Sequence, residues 1–296
     1  MILSIDHGNS GIKAYVYRDD ERSLLAPDIG PLACGRLAPE ALEAGLAALV
    51  ERALARTGRT AGNALRCALV SVRPDLMDRV LAAVRLACGV EATAFSSEGT
   101  LRCLYEDPAA LGADRMAAAY AAVRLYPNQA LVVADAGTAL TVDAISATGT
   151  FLGGAIAPGK GAWVEGLSSK APRLAARLAK PGSMNAAPPG LGRSTEGCLS
   201  LGFDAGFRAM TLGLIRTVRQ RAFGTAPCGR ILCGAGAAKG LLEDLSRPPN
   251  ARPGDPRPSA VGDLVARGGA LYAMDRPAGA AGAAAPMAQE RKRRCE

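Results

Sequence analysis

The hydrophobic positions alternate in two styles along the chain, and the points where one style gives way to the other mark the elements. Ile2, Leu3 and Ile5, then Ile12, Ala14 and Val16, carry strand-like patterning on either side of a polar turn, D-H-G-N-S-G. This predicts a hairpin over 2–7 and 12–18. Leu42, Leu46 and Leu49 recur at helical spacing within a helix over 39–56. The run A-L-R-C-A-L-V-S-V at 64–72 predicts a buried strand; Pro74 then opens a helix that Gly89 closes. A short strand at 90–96 and a helix over 113–126 follow.

The pattern then starts again. Residues 131–159 predict a strand, an Asp-x-Gly turn, a second strand, an Ala-Thr-Gly turn and a third strand. Asp6-x-Gly8-Asn9-Ser10 is echoed by Asp135-x-Gly137-Thr138-Ala139. Two such turns, each closing one apolar strand and opening another, predict a duplicated domain whose paired turns face a common cleft. Beyond them come a helix over 161–179, a Pro/Gly-rich loop over 181–193 and a long helix over 195–221. A strand, glycine turn and helix over 230–245 and a last helix over 262–274 complete the pattern. The expected division is 1–127, 128–275 and a low-complexity, disordered basic tail over 276–296.

Composition changes this picture little. At 296 residues, 49% hydrophobic and 21% charged, the chain reads as globular. No uncharged apolar window long enough for a membrane span is expected, nor a secretory leader, and the expected location is cytoplasmic. The formal charge is +8, but the tail alone carries five basic residues against two acidic ones. With no basic stripe interleaved with aromatics elsewhere, nucleic acid is not an expected partner. The eight cysteines show no C-x-x-C spacing and His7 is the one histidine, which argues against a zinc site or a disulfide framework and for reduced, buried thiols.

A glycine at a strand–turn–strand bend lets backbone N–H groups approach a phosphate, and Asn9, Ser10 and Lys13 add donors and a cation. Asp6 repels a phosphate unless a cation stands between them, and Mg²⁺ carried by ATP is the common case. Alone, the first motif reads equally as an ordinary Asx hairpin turn, and Asp135 as a turn cap. G-G-A-I-A-P-G at 153–159 permits close approach of a ligand.

Taken in order, these residues resemble the type III pantothenate kinases of the acetate-and-sugar-kinase/Hsp70/actin superfamily. The resemblance runs through D-x-G-N-S at Asp6, S-V-R-P at Ser71 and Y-E-D-P-A-A-L-G-A-D-R ending at Arg115. It continues with D-x-G-T-A at Asp135, G-G-A-I-A-P-G, G-R-S-T at Gly192–Thr195 and C-G-A-G at Cys233–Gly236. It implies an α/β fold of two ribonuclease-H-like domains, the duplicated actin-like ATPase architecture, with an ATP cleft between them, and a homodimer. The implied activity is phosphorylation of pantothenate by ATP, the first step toward coenzyme A. Asp6, Gly8, Asn9, Ser10 and Lys13 would handle phosphates and Mg²⁺, with Gly137 and Thr138 meeting the phosphates from the other domain. Asp135 would serve a monovalent cation, K⁺ or NH₄⁺. Tyr105, Gly112, Ala113, Arg115 and Thr195 would hold pantothenate, Thr195 from the other subunit of the dimer.

Asp114 would be the general base, since an alcohol must lose its proton as the O–P bond forms; without the resemblance it reads as a helix-start acid facing the dipole. His7 reads either as a turn residue or as a group titrating near phosphates, and Ala235 adds a methyl where the family expects glycine. Two further readings are a regulatory protein using the R-K-R-R tail and a kinase for another hydroxylated acid.

Overall fold

The computed structural model of the chain describes residues 1–18, 27, 29–35, 37, 39–57, 66–178, 190–234 and 239–276. The described residues form two compact units, one drawn from residues 1–96 with 269–276, the other from Ser97–Gly268.

In the first unit, β1 (Ile2–Gly8) and β2 (Gly11–Tyr17) form the expected hairpin, with Asp6 opposite Lys13 and Gly8 opposite Gly11. A third strand, β3 (Ile29–Gly35), pairs antiparallel with β2. The sequence reading missed it because Gly30, Pro31 and Gly35 break the strand pattern. Proline is tolerated there because β3 is an edge strand, where a missing N–H costs no ladder bond on the open side. β4 (Arg66–Ser71) and β5 (Ala92–Ala94) add parallel strands, giving the order β3-β2-β1-β4-β5.

Helices α1 (Leu42–Ala55) and α2 (Met77–Cys88) pack on each other and on this sheet. Leu42, Leu46, Leu49 and Val50 of α1 are buried against Leu3, Ile5 and Leu69 in one apolar core. Gly89 ends α2 in the left-handed region at φ 69°, its N–H bonded to the Arg85 carbonyl.

The second unit repeats the topology. β6 (Leu131–Ala136), β7 (Ala139–Ile145) and β8 (Phe151–Pro158) are antiparallel neighbours. β9 (Gly229–Cys233) and the two-residue β10 (Ser259–Ala260) extend the sheet in parallel, in the order β8-β7-β6-β9-β10. Strand for strand this is the first sheet again, and the duplicated ribonuclease-H-like α/β architecture is present as expected. Asp6 and Asp135 occupy matching places, each near the end of the strand that joins the antiparallel and parallel halves.

Helix α3 (Ala113–Leu125) packs on β6 and β7, so residues 97–127 group with the second unit, whereas the expected boundary lay at 127/128. The helix expected over 161–179 is two helices, α4 (Lys160–Lys170) and α5 (Pro172–Leu178). Pro172 drives the residue before it out of the helical region, and Ala171 sits at φ −132°, ψ 76°.

Helix α6 (Thr195–Phe223) is long and apolar enough, by length and composition, to cross a membrane. Its Phe203, Phe207, Ile215 and Val218 are buried, and the helix packs across β6, β7 and β8. A short α7 (Lys239–Leu245) and α8 (Leu264–Met274) complete the fold. Ala235, residues 179–189 of the Pro/Gly-rich loop and the tail from Pro277 lie outside the described residues.

Candidate active site

The first-unit motif is a two-residue hairpin. Asn9 and Ser10 are exposed at its tip, and Asp6 and Gly8 are half-buried below them. Lys13 Nζ lies 3.8 Å from Asp6 Oδ2, which follows from their direct pairing across β1 and β2. His7, between them, is not at the tip: it is 5% exposed, and its Nδ1 lies 3.0 Å from Ser71 Oγ on β4. Burial first, and then the charge of Arg73, hold its imidazole below the ordinary value, so it is a neutral core residue near pH 7.

In the second unit, Gly137 and Thr138 are exposed at the β6–β7 bend and Asp135 is half-buried beside them. The Gly159 N–H donates to the Thr138 carbonyl at 3.0 Å, seating the end of G-G-A-I-A-P-G on that bend. Among the described residues no cluster of three histidine, cysteine or acidic side chains forms a ready-made metal site.

The densest chemistry sits at the start of α3. Gly112 is its N-cap, Ala113 its first residue and Asp114 its second. Asp114 Oδ1 accepts the backbone N–H of Arg115 at 2.8 Å. Burial raises the Asp114 carboxyl above its ordinary value, opposed by that hydrogen bond and by the Arg115 charge. A raised carboxylate beside a guanidinium is a better proton acceptor than an exposed aspartate.

Arg115 is 8% exposed and engaged on nearly every side. Its Nε lies 3.2 and 3.1 Å from Asp143 Oδ1 and Oδ2, and its Nη2 donates to Oδ1 at 2.5 Å. Its Nη1 donates to the Tyr105 hydroxyl at 3.3 Å. The guanidinium carbon stands 5.4 Å from the Tyr105 ring centroid and 5.6 Å from that of Phe151, a double cation–π arrangement. Burial works against the Arg115 charge, but the bonds and charge of Asp143 outweigh it and keep the guanidinium protonated.

The structure therefore brings Tyr105, Gly112, Ala113, Asp114 and Arg115 together. Thr195 stands apart, exposed at the first residue of α6 behind the N-cap Ser194, whose Oγ accepts the Gly197 N–H at 3.0 Å. Among the described residues no hydrogen bond or ion pair links Thr195 to Tyr105, Asp114 or Arg115.

Sequence reasoning missed Asp143 and Phe151. The signal for Asp143 was there: a lone carboxylate in the apolar run L-T-V-D-A-I. Leu140, Val142 and Ala144 face one core, so Asp143 points to the opposite face of the sheet, where α3 packs. Gly154, its partner across β7 and β8, is glycine because a Cβ there would collide with Asp143 Oδ1 and the Val142 carbonyl.

Comparison with known proteins gives a consistent family. The model of the type III pantothenate kinase family matches residues 2–217. A type III pantothenate kinase of Roseiflexus sp. is 34% identical over 246 residues, 82% of this chain and 88% of that one. That of Nitratidesulfovibrio vulgaris is 45% identical over 115 residues, 38% of this chain and 41% of its own length. In fold, a ROK-family glucokinase of Streptomyces griseus, solved with glucose and AMPPNP, aligns with TM-score 0.51 at 12% identity, over 93% of this chain and 99% of that one.

Proposed function

The chain belongs to the type III pantothenate kinase family, and from that premise we propose that it transfers the γ-phosphoryl group of ATP to the primary hydroxyl of pantothenate. The observation that carries this reading is the Asp114–Arg115 pair at the start of α3, a raised carboxylate next to a held guanidinium. Adjacent helical residues point about 100° apart, at 3.6 residues per turn. The two side chains can therefore serve different ends of one extended acceptor, the hydroxyl at Asp114 and the carboxylate at Arg115. Asp114 accepts the hydroxyl proton as the O–P bond forms, a contribution typically of about 10²–10⁴-fold. Tyr105, hydrogen-bonded to Arg115, closes the apolar side of the acceptor site.

By the family pattern, the Asp6–Lys13 hairpin with Gly8, Asn9 and Ser10 receives phosphates, as do Gly137 and Thr138. Mg²⁺ carried by ATP would supply charge neutralisation for the transferring phosphoryl group and would need only one or two protein carboxylates. Asp6, half-buried with its side chain 16% exposed, fits that requirement. Asp135 is the oxygen ligand we assign to a monovalent cation, K⁺ or NH₄⁺. Thr195, exposed and unlinked to the Arg115 cluster, is assigned to the acceptor site of a second subunit in a homodimer. The product would enter coenzyme A synthesis at its first step.

Incubation of the purified protein with ATP, Mg²⁺, K⁺ and pantothenate tests the reading. Formation of phosphopantothenate by mass is expected. A folded protein that leaves pantothenate unchanged while phosphorylating another hydroxy acid would replace the assigned acceptor.

A further inference from the structure

We propose that Asp143 is a positioning residue for acceptor recognition: by occupying one side of the Arg115 guanidinium, it selects which N–H groups are left to grip the substrate carboxylate. The inference rests on the pantothenate kinase reading and deepens it.

A guanidinium has five N–H donors in a fixed plane. Asp143 engages the Nε hydrogen and one on Nη2, and the Tyr105 hydroxyl takes one on Nη1. One N–H is left on each terminal nitrogen. A carboxylate is matched by two such donors on neighbouring nitrogens, the bidentate geometry in which arginine exceeds lysine. Tyr105 and Phe151 hold the plane itself through their rings, and Phe151 is fully buried. Both side chains of the ion pair are almost wholly buried, 7% exposed for Arg115 and 5% for Asp143, and the arginine is the partner assigned to the ligand because only the cation attracts a carboxylate.

Two physical considerations favour positioning over simple stabilisation. Buried ion pairs are commonly replaceable by apolar residues without loss of stability, so packing alone gives little reason for this one. The strand partner Gly154 also leaves room for this carboxylate: a Cβ there would meet Asp143 Oδ1, as well as the Val142 carbonyl of the neighbouring backbone. Charge alone would argue the other way. Asp143 neutralises Arg115 and weakens its pull on an anion, so its presence helps only if orientation outweighs attraction.

That opposition makes the test decisive. Steady-state kinetics of the parent, Asp143→Asn and Asp143→Glu are measured with pantothenate and with its alcohol analogue, in which CH₂OH replaces the carboxylate. The readout is the ratio of the two kcat/KM values, with thermal melts recorded so that all assays run below unfolding. In Asp143→Asn the preference for pantothenate should fall about tenfold, the scale of one charge-assisted hydrogen bond, carried by KM for pantothenate while KM for ATP holds. Asp143→Glu, which keeps the charge, should recover part of it. If Asp143→Asn does not fold, Asp143→Glu alone should show a reduced but measurable preference. An unchanged ratio means a structural role only, and a raised ratio means Asp143 merely damps the Arg115 charge; either overturns the proposal. A parent that phosphorylates neither compound overturns the kinase reading itself, and this inference with it.

Discussion

Asp114 Oδ1 lies where a side chain on Gly112 would have to be: a Cβ built there meets that oxygen at 2.6 Å and, its two chain neighbours aside, among the described residues nothing else within 4 Å but the carboxyl carbon behind it. The N-cap glycine thus leaves room for the carboxylate to fold back over the first turn and accept the Arg115 N–H. Gly112 has φ −55°, ψ 136°, a conformation open to any residue.

Gly112→Ala therefore separates function from stability. The backbone tolerates alanine, and the one clash falls on the end of a side chain that can swing away. Stability should change by no more than about 1 kcal/mol, because the less flexible unfolded chain offsets the cost of moving the carboxylate. Displacing the base by about an ångström should lower kcat by up to about 10²-fold. Calorimetry and steady-state kinetics on the same preparation check both halves; a parent-like kcat removes Asp114 from the proton transfer.

Asp114→Asn should lose turnover by at least about 10²-fold without losing stability. Burial raises the Asp114 carboxyl above its ordinary 3.8. Between 3.8 and the raised value the native state holds a proton the unfolded chain has released, so stability falls as pH rises through that window. At neutral pH the whole cost is present, and the amide removes it. The variant should melt at or above the parent temperature at pH 7, with the advantage vanishing at pH below the ordinary aspartate value. In the parent, the acid limb of kcat/KM should lie above the ordinary aspartate range, because the base must be ionised.

Asp255 gives a prediction about the second unit alone. Its carboxylate, 1% exposed, accepts from Arg219 Nη2 at 2.6 Å and Arg230 Nη1 at 2.9 Å. It also accepts the backbone N–H groups of Cys228 at 3.2 Å and Arg252 at 2.8 Å. The Nε atoms of both arginines are already buried without a partner. Asp255→Asn leaves two guanidinium groups in the interior with no counter-charge and should cost about 3–5 kcal/mol. Denaturant unfolding checks it; a loss under 1 kcal/mol would mean that water reaches these arginines.

The long elements and both hairpins were legible because each is decided locally. Gly89 closes α2, Pro74 precedes it, and the two Asp-x-Gly bends fall between alternating apolar runs. Edge strand β3 was not legible, because its Pro31 is acceptable only where no further strand pairs, and that is a property of the sheet rather than of the segment. The break at Pro172 was visible and underweighted. Asp114 and Arg115 could be picked out as a pair, but Asp143, 28 residues beyond Arg115, could not be joined to it without the packing of α3 on β7. A buried charge announces that it has a partner; periodicity does not say which.

His7 supplies the last prediction, and it runs in the opposite sense to Asp114. Its sequence reading is a turn residue or a group titrating among phosphates; the structure makes it a buried strand residue whose ring bonds Ser71. Burial, then Arg73, lower its value from 6.5, against a smaller opposing effect of Asp75. As pH falls below 6.5 the unfolded chain takes a proton that the native ring refuses, so stability is present above 6.5 and is lost as pH drops toward the lowered native value. Melting temperature should decline between pH 7 and pH 5 in the parent. His7→Gln, which can still bond Ser71 but carries no titrating group, should decline less over the same range while showing the same acid limb in kcat/KM. If the variant instead shifts that limb, His7 titrates in the reaction after all and its burial against Ser71 does not keep it out of the chemistry.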